Sequence, residues 1–251
     1  MKQEIYSHPN GNYNDIWLKG ESVKKGNISR TEEYEQISDF CRNYKRPFST
    51  LDLGAAEGYF TFRLADDFDG VFTAVEGDVL RNLPYLCQQN DNEKVLLMMK
   101  QLNLENLMEI ASVHHFDVIL GLNIIHHFDE DFRKVLDVIM GMCSYCFLQH
   151  PSEEDDNDSY YGGVGIKNFH RIGAEKLDLD RYNAKLLESK GEGRKMYLLE
   201  NTNPHKGIVR RHTQGNFYKE GEGILLSSDF ENISVNYLHR EENRPWFPGM
   251  N

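Results

Sequence analysis

Short apolar runs alternate with segments of helical periodicity along the middle of this 251-residue chain. The runs are about four to seven residues long and rich in β-branched and aromatic side chains, which is typical of buried strands. The segments between them space apolar residues three and four positions apart, as amphipathic helices do. Strands joined through helices require crossover connections, and such connections make neighbouring strands parallel. The pattern therefore predicts an α/β fold around a mostly parallel sheet.

The positions of the elements follow from these two periodicities. Five strands are predicted, at 49–53, 71–75, 94–99, 116–123 and 145–148. Helices are predicted at 29–44, 60–65, 79–89, 104–111 and 132–140. The first helix opens on a capping box, in which Ser29 and Glu32 are each expected to accept a backbone N–H. The runs 184–188 and 196–199 predict an antiparallel hairpin at the sheet edge.

Composition divides the chain into three parts. Residues 1–28 are polar with scattered aromatics and predict an irregular N-terminal wrap rather than a domain. Residues 29–200 carry the alternating pattern and predict the main domain. Residues 201–251 predict a C-terminal extension with one hairpin, which is truncated if the chain is a fragment of a longer protein.

Charge and cysteine usage exclude several classes of protein. A formal net charge of −12 argues against a nucleic-acid binder, because such affinity rests on cationic contacts. Four cysteines do not make a disulfide framework, and the lone pair Cys143 and Cys146 falls on a predicted buried strand, where structural thiols are favoured over a metal site. The sequence begins without an apolar signal region, so a soluble, cytoplasmic protein is predicted.

A loop of small residues follows the first predicted strand. The spacing is D-x-G-x-A-x-G, formed by Asp52, Gly54, Ala56 and Gly58, and it is close to the glycine pattern of dinucleotide binders without matching it. A small-residue loop between a strand and a helix is expected to bring bare backbone N–H groups close to a ligand. The loop by itself is open to NAD, a flavin or another nucleotide.

Glu76 follows the second predicted strand, about 20 residues beyond the small-residue loop. In an open α/β sheet, ligands bind beyond the carboxyl ends of the strands. A carboxylate at this place can accept the two hydroxyls of a ribose, and this is the interpretation that the upstream loop favours. The alternative is an acid that caps a helix N-terminus.

Three segments together resemble the class I S-adenosylmethionine-dependent methyltransferases: DLGAAEGYF, AVEGD and FDVILGLNIIHHF, in this order. The resemblance covers about residues 30–200. It implies a Rossmann-like α/β fold with a seven-stranded, mostly parallel sheet and an antiparallel edge hairpin. It also implies S-adenosylmethionine as the cofactor and S-adenosylhomocysteine as its product. Ala55 and Ala56 replace the glycine often found mid-loop in this class, and alanine is expected to fit there in an ordinary backbone conformation.

The same resemblance implies which residues contact the cofactor. They are Asp52, Gly54, Ala55, Glu76, Gly77, Asn103, Leu104, Leu122 and Asn123. Of these, Asp52 is expected to order the loop and Gly54 to approach the methionine part. Asn103 with Leu104 is expected to contact adenine, and Leu122 or Asn123 is expected to lie near the sulfonium.

A narrower likeness is to the methyltransferase half of bacterial polysaccharide chain-terminating kinase–methyltransferases. It rests on Tyr6 with its neighbours Glu4 and Ile5, on Arg30, on GLNIIHHF, and on the late segment RKMYL. This likeness implies that Tyr6 and Arg30 reach the carboxylate of the cofactor. A guanidinium suits that task, because it can bind a carboxylate through two parallel hydrogen bonds.

His126 and His127 follow the fourth predicted strand, where the acceptor is expected. Methyl transfer is an in-line displacement and depends on positioning, but a hydroxyl acceptor also needs a base, which histidine can supply near neutral pH. A phosphate acceptor needs no base, and a cationic histidine would then hold the anion. One histidine of the pair is expected to be structural. His150, Tyr160 and Tyr161 are further candidates on the acceptor side.

The leading hypothesis is an O-methyltransferase that acts on a saccharide, a nucleotide-linked sugar or a phosphate-bearing small molecule. An RNA 2′-O-methyltransferase is the alternative, although its usual Lys-Asp-Lys-Glu tetrad is not apparent and the net charge opposes it. A non-catalytic cofactor-binding subunit is a third hypothesis. No metal site is predicted, and the acceptor and the oligomeric state are left open.

Overall fold

A computed structural model describes residues 11–128, 131–150, 177–187 and 195–202, together with one late strand at 224–226. These residues form two compact units. One unit comprises the described residues up to Gln101 and the late strand, and the other comprises those from Leu102 to Thr202. The division of the chain at residues 28 and 200 stays a prediction.

The regular elements alternate as the sequence predicts. In the first unit they are β1 (Ile16–Leu18), β2 (Glu21–Lys24), α1 (Thr31–Cys41), β3 (Phe48–Leu53), α2 (Tyr59–Asp67), β4 (Gly70–Glu76), α3 (Leu83–Asn90) and β5 (Val95–Met99). In the second unit they are α4 (Leu104–Val113), β6 (Phe116–Leu122), α5 (Phe132–Gly141), β7 (Cys143–Gln149), β8 (Lys185–Leu187) and β9 (Met196–Glu200). The late strand of the first unit is β10 (Ile224–Leu226).

Parallel strands make the centre of the first unit. Strands β3, β4 and β5 are parallel neighbours, and β10 pairs antiparallel with β5. Leu53 pairs with Val75, and Glu76 pairs with Met99, so the carboxyl ends of all three central strands lie at one edge. Every residue of β3 and β5 is buried, as in a sheet covered on both faces.

The helix that precedes β3 contributes to this core through one face. Tyr34, Ile37 and Cys41 of α1 are buried, as their three- and four-residue spacing predicts. Burial of a large apolar side chain contributes about 1.5–3 kcal/mol, so this face anchors the helix without help from its cap. The predicted capping box is wrong: Arg30 is the N-cap residue, and no side chain caps the helix.

Two further predictions for the first unit need correction. Part of the N-terminal wrap is regular, because β1 and β2 pair as an antiparallel hairpin. The helix predicted at 79–89 is divided into a 3-10 turn at Val79–Arg81 and α3. Asn82 lies between them with φ at +56°, a left-handed conformation that asparagine tolerates better than most residues and that interrupts helical hydrogen bonding.

The second unit contains the predicted edge hairpin. Strands β6 and β7 are parallel, β9 pairs antiparallel with β7, and β8 pairs antiparallel with β9. Helix α5 packs on β7 through buried residues that recur at helical spacing, which are Val135, Leu136, Ile139 and Met140. The mostly parallel α/β architecture and its antiparallel edge are therefore confirmed. The hairpin predicted for the C-terminal extension rests on the apolar runs 223–226 and 233–237, and the second of these runs lies outside the described residues.

The cysteines are buried and form no disulfide. Burial raises the pKa of the Cys146 thiol to about 12 and that of Cys143 well above its usual range, which makes both thiols unreactive. Across the ranges that the structure describes, no cluster of three metal-ligating side chains occurs. Within those same ranges, no helix has the length and apolarity needed to cross a membrane.

Candidate functional site

The loop after β3 uses its backbone N–H groups internally. Those of Gly54 and Ala55 both donate to the carbonyl of Val75, at 2.9 and 3.0 Å, and that of Gly58 donates to the carbonyl of Ala55 at 2.8 Å. The sequence predicts bare N–H groups that face a ligand, and for these three groups that prediction is wrong. The physical reason is that the loop folds back onto the adjacent end of β4, whose last carbonyls need donors.

Three residues of this loop have positive φ angles. Gly54 and Gly58 lie at +71° and +77°, where glycine carries no steric penalty. A Cβ on Gly58 would come within 2.5 Å of the Phe62 ring, so the position also needs glycine for space. Ala56 lies at +52°, which corrects the expectation of an ordinary conformation for alanine here. A left-handed alanine costs about 1–2 kcal/mol, so the surrounding bonds must hold it.

Glu76 holds that strained residue. Its Oε2 accepts the N–H of Ala56 at 2.7 Å, while its Oε1 accepts the N–H groups of Gly77 and Asp78 at 2.9 and 2.7 Å. The N-cap that was the alternative role for Glu76 belongs to Asp78, whose side chain accepts from Leu80. A carboxylate has about four lone-pair positions, so one remains on Oε2 for a ligand hydroxyl.

Asp52 lies buried at the end of β3, near Glu76. Its carboxyl accepts from the hydroxyl of Thr61 at 2.9 Å, which ties β3 to the first turn of α2. The pKa of Asp52 is raised to about 7, mainly by burial and to a smaller extent by the charge of Glu76, while the hydrogen bonds from Thr61 lower it. The pKa of Glu76 is also raised, mainly by burial, although its backbone donors and Arg81 oppose the shift.

Arg30 is buried rather than solvated, with 7% of its surface exposed. It donates to the carboxylate of Glu33 at 2.9 Å and to the hydroxyl of Tyr13 at 2.6 Å. Tyr6, the aromatic partner that the family likeness implies, lies outside the described residues. Tyr13 was not a candidate from the sequence, yet it is the tyrosine that contacts Arg30 in the described part of the chain.

Glu57 and Arg81 are two further residues that sequence reasoning missed. Their side chains form an ion pair of 3.1 Å, and the carboxylate of Glu57 also accepts the N–H groups of Tyr13 and Asn14. The signal that would have found Glu57 is its place as the one acid in a loop otherwise made of small residues. The first unit thus brings Asp52, the loop and Glu76 together at the carboxyl ends of its strands.

The carboxyl end of β6 is built around an amide pair. Asn123 follows Leu122, the last residue of the strand, and has φ at +57°. Its N–H donates to the carbonyl of Gln149 at 2.7 Å, and its side-chain amide donates to Gln149 Oε1 at 2.6 Å. Both residues are buried, so these bonds fix the ends of β6 and β7 against each other.

The two histidines lie on a 3-10 turn, Ile125–His127, directly after this amide pair. His126 is buried, with 1% of its surface exposed, whereas His127 is exposed. The centroids of their rings are 4.2 Å apart. The two neighbours therefore occupy different environments, and His127 is the one that a ligand in solution can approach. The catalytic role of each histidine stays a prediction.

The remaining candidates have mixed positions. Asn103 is the N-cap of α4 and accepts the N–H of Asn106 at 2.8 Å, and Leu104 is the first residue of that helix. His150 follows β7, is buried, and stacks on Tyr197 with ring centroids 6.1 Å apart. Contacts of Asn103 or Leu104 with adenine stay a prediction, and Tyr160 and Tyr161 lie outside the described residues.

No family model and no curated protein sequence matches this chain. Solved structures do match it, at probability 1.00. One of them is the crystal structure of monomeric WbdD, which is 21% identical with a TM-score of 0.52, over 68% of this chain and 40% of that one. WbdD is described as a bifunctional kinase–methyltransferase. This chain therefore spans about two fifths of the length of the WbdD structure.

Two other solved structures extend the comparison. The N-terminal domain of EvdMO1, crystallised in the presence of S-adenosylhomocysteine and D-fucose, is 14% identical with a TM-score of 0.53, over 75% of this chain and 91% of that one. The CurJ carbon methyltransferase is 12% identical with a TM-score of 0.50, over 68% and 54%. Similarity at these identities is similarity of fold. With the strand order and the loop geometry above, it shows that the chain has the Rossmann-like fold of class I S-adenosylmethionine-dependent methyltransferases.

Proposed function

We propose that the protein is an S-adenosylmethionine-dependent methyltransferase that methylates an oxygen of a saccharide, a nucleotide-linked sugar or a phosphate-bearing small molecule. The observation that carries the choice of cofactor is the bonding of the loop after β3. A dinucleotide needs N–H donors for its pyrophosphate. Four N–H groups of this loop, those of Gly54, Ala55, Ala56 and Gly58, donate within the protein instead. Such a loop suits a ligand without a pyrophosphate.

The residues of the first unit fit the parts of S-adenosylmethionine. Glu76 has one lone-pair position left for a ribose hydroxyl, and its three backbone bonds hold the carboxylate in place. Arg30 is a buried guanidinium of the kind that binds a carboxylate, and Tyr13 orients it. When bound, the cofactor supplies an electrophilic methyl group on a sulfonium. The contribution of the chain is to hold and orient it.

His127 is the residue that we assign to the acceptor. It is exposed beside the end of β6, so it can take a proton from an acceptor hydroxyl or, when cationic, hold a phosphate oxygen. Its buried neighbour His126 is assigned the structural role. Because CurJ is described as a carbon methyltransferase, the fold alone does not select an oxygen acceptor. The proposal of an oxygen acceptor therefore rests on the imidazole of His127.

Two observations support the class of acceptor and the location. The EvdMO1 structure was obtained with D-fucose, and WbdD is described as a kinase–methyltransferase, so neighbours in fold are associated with a sugar and with phosphoryl transfer. A role in polysaccharide biosynthesis is the corresponding proposal. A cytoplasmic location is supported by the four cysteines, which are all unpaired thiols, as in reducing compartments.

Calorimetric titration tests the cofactor, and a product assay tests the acceptor. The purified protein is expected to bind S-adenosylmethionine and S-adenosylhomocysteine and not NADH. Binding of NADH without binding of S-adenosylmethionine would overturn the proposal. The protein is then incubated with S-adenosylmethionine and single nucleotide sugars or phosphorylated sugars, and release of S-adenosylhomocysteine is measured. His127→Ala is the matched blank for each acceptor, because it removes the assigned base from an exposed position.

A further inference from the structure

Glu57 is a buried carboxylate in the cofactor loop that the proposed function leaves without a role. Only 1% of its surface is exposed. Its Oε1 accepts the N–H of Tyr13 at 2.9 Å and the guanidinium of Arg81 at 3.1 Å, and its Oε2 accepts the N–H of Asn14 at 3.0 Å. The donors come from segments that lie 24 to 44 positions away in sequence. One side chain of the loop thus joins the N-terminal segment and the turn after β4.

These bonds determine where Tyr13 lies. Its N–H is held by Glu57, and its carbonyl accepts the N–H of Ile28 at 3.2 Å, so both main-chain groups of this residue are anchored. The Tyr13 ring then lies within cation–π range of two guanidinium groups, with its centroid 5.3 Å from Arg30 and 5.9 Å from Arg81. Its hydroxyl accepts from Arg30. Tyr13 therefore connects the loop to the guanidinium of Arg30, which also pairs with Glu33.

The position requires a carboxylate rather than any hydrogen-bonding side chain. All three partners of Glu57 are donors, and two of them are main-chain N–H groups, of which that of Asn14 is buried. A glutamine of the same shape would offer one acceptor oxygen and would set its own N–H₂ group against a donor. Hydrogen bonds to an ionised group are also about twice as strong as neutral ones.

We propose that Glu57 is a positioning residue that holds Tyr13, and through it the guanidinium of Arg30, at the amino-acid end of bound S-adenosylmethionine. The inference rests on the proposed function, because it needs a ligand that carries a carboxylate next to Arg30. Glu57 itself does not touch the ligand. Its effect is therefore confined to ligands with an amino-acid portion, and this distinguishes it from a residue that only stabilises the fold.

A pair of ligands tests this role. S-adenosylhomocysteine has the amino-acid portion, whereas 5′-methylthioadenosine has the same adenosyl thioether without it. Both are titrated calorimetrically onto the wild-type protein and onto Glu57→Gln. Loss of the charge-assisted hydrogen bonds of Glu57 is expected to reduce the affinity for S-adenosylhomocysteine about tenfold in the variant. The affinity for methylthioadenosine is expected to fall less than about twofold.

Two further variants are used: one is a control, and the other tests the same contact independently. Glu21→Gln makes the same chemical change at an exposed position of β2 and is expected to leave both affinities unchanged. Tyr13→Phe keeps the ring and removes the hydroxyl that accepts from Arg30, so it is expected to show the same selective loss. The double variant with Glu57→Gln is expected to lose little more than either single variant, because the two residues act in series.

The outcomes separate the inference from the proposed function. If Glu57→Gln lowers the affinity for both ligands equally, or leaves both affinities unchanged, the proposed role of Glu57 is wrong. Binding of S-adenosylhomocysteine to the wild-type protein supports the proposed cofactor in either case. Failure of the wild-type protein to bind S-adenosylhomocysteine contradicts the proposed function instead. Circular dichroism and thermal unfolding show whether Glu57→Gln folds. If it does not fold, Tyr13→Phe decides: a selective loss of affinity for S-adenosylhomocysteine supports the role of the Glu57–Tyr13 contact, and an equal loss for both ligands contradicts it.

Discussion

The carboxyl ends of β3 and β4 differ in chemistry from those of β6 and β7. The first pair carries three buried carboxylates, Asp52, Glu57 and Glu76, which accept backbone N–H groups, a hydroxyl and a guanidinium at fixed distances. The second pair carries a neutral amide pair followed by two imidazoles, one buried and one exposed.

This difference indicates that the two pairs of strand ends have different roles. Buried carboxylates with several donors are held rigidly and suit recognition of one constant ligand, which in our proposal is the methyl donor. An exposed imidazole can change its protonation near neutral pH and suits contact with an acceptor that enters and leaves. The predictions below test this contrast, from the largest expected effect to the smallest.

His127→Ala is expected to reduce turnover at least about 100-fold while the affinity for S-adenosylhomocysteine stays within about twofold, because a general base contributes to the chemical step alone. Single-turnover rates and calorimetric titration measure the two quantities. His114→Ala, before the opposite end of β6, is the matched control. Normal turnover in His127→Ala would show that this residue is not part of the acceptor site, and the ends of β6 and β7 would then have no catalytic residue assigned to them.

Glu76→Ala is expected to weaken cofactor affinity by about 1–3 kcal/mol, the scale of lost hydrogen bonds to a charged group. The variant also releases the N–H of Ala56, so a decrease in the free energy of unfolding should accompany the loss of affinity. Glu93→Ala, an exposed acid before β5, is the control for the change in charge. Unchanged affinity would mean that Glu76 serves only the loop and does not contact the ligand.

Asp52 is expected to make stability depend on pH. Burial raises its pKa in the folded protein to about 7, above the ordinary value of 3.8, so the native state binds the proton more tightly than the unfolded chain does. Its contribution to stability is therefore present at low pH and is lost as the pH rises between those two values.

Urea unfolding at pH 5 and pH 6.5 measures this loss, which should amount to at most about 2 kcal/mol from this one group. Asp52→Asn cannot titrate, so the difference between wild type and variant isolates Asp52 from the other carboxyl groups. A difference that stays constant, or that changes in the opposite direction with pH, would contradict the raised pKa.

Ala56→Gly is expected to have the smallest effect. Glycine adopts a φ of +52° without steric cost, but it also gains conformational entropy in the unfolded state. The two effects oppose each other and should leave a gain of up to about 1 kcal/mol in the free energy of unfolding, with unchanged affinity for the cofactor. A decrease of more than 1 kcal/mol would show that the alanine side chain contributes packing that outweighs its strain.

The helices and strands were predictable where their signal is local. The spacing of Tyr34, Ile37 and Cys41, and the apolar runs of β3 to β7, identify each element because burial selects one face of a helix or both faces of a central strand. Local signals failed where a single backbone angle decided the result. Asn82 divides a helix that the apolar pattern continues through, and the local signal of the break, which the apolar spacing outweighed, is Pro84 in the first turn of α3.

The candidate site was predictable to a similar extent and for a similar reason. The small-residue loop and Glu76 are near the ends of strands, and strand ends follow from the order of the elements. Which N–H groups of the loop stay open to a ligand did not follow, because it depends on how closely the end of β4 approaches the loop. The different exposure of His126 and His127 likewise depends on which side of one 3-10 turn is packed and which side faces solvent.

By itself, the sequence determined the alternation of strands and helices, the edge at which the candidate site lies and the class of fold that these imply. Periodicity and clusters of small residues are local signals that extend over a few positions, so they can be recognised in the sequence alone. The tertiary structure alone decided that Glu57 meets Tyr13 across 44 positions and that Tyr13 meets Arg30 across 17. Such contacts arise when distant segments pack together, and a carboxylate in a loop does not reveal its donors until they do.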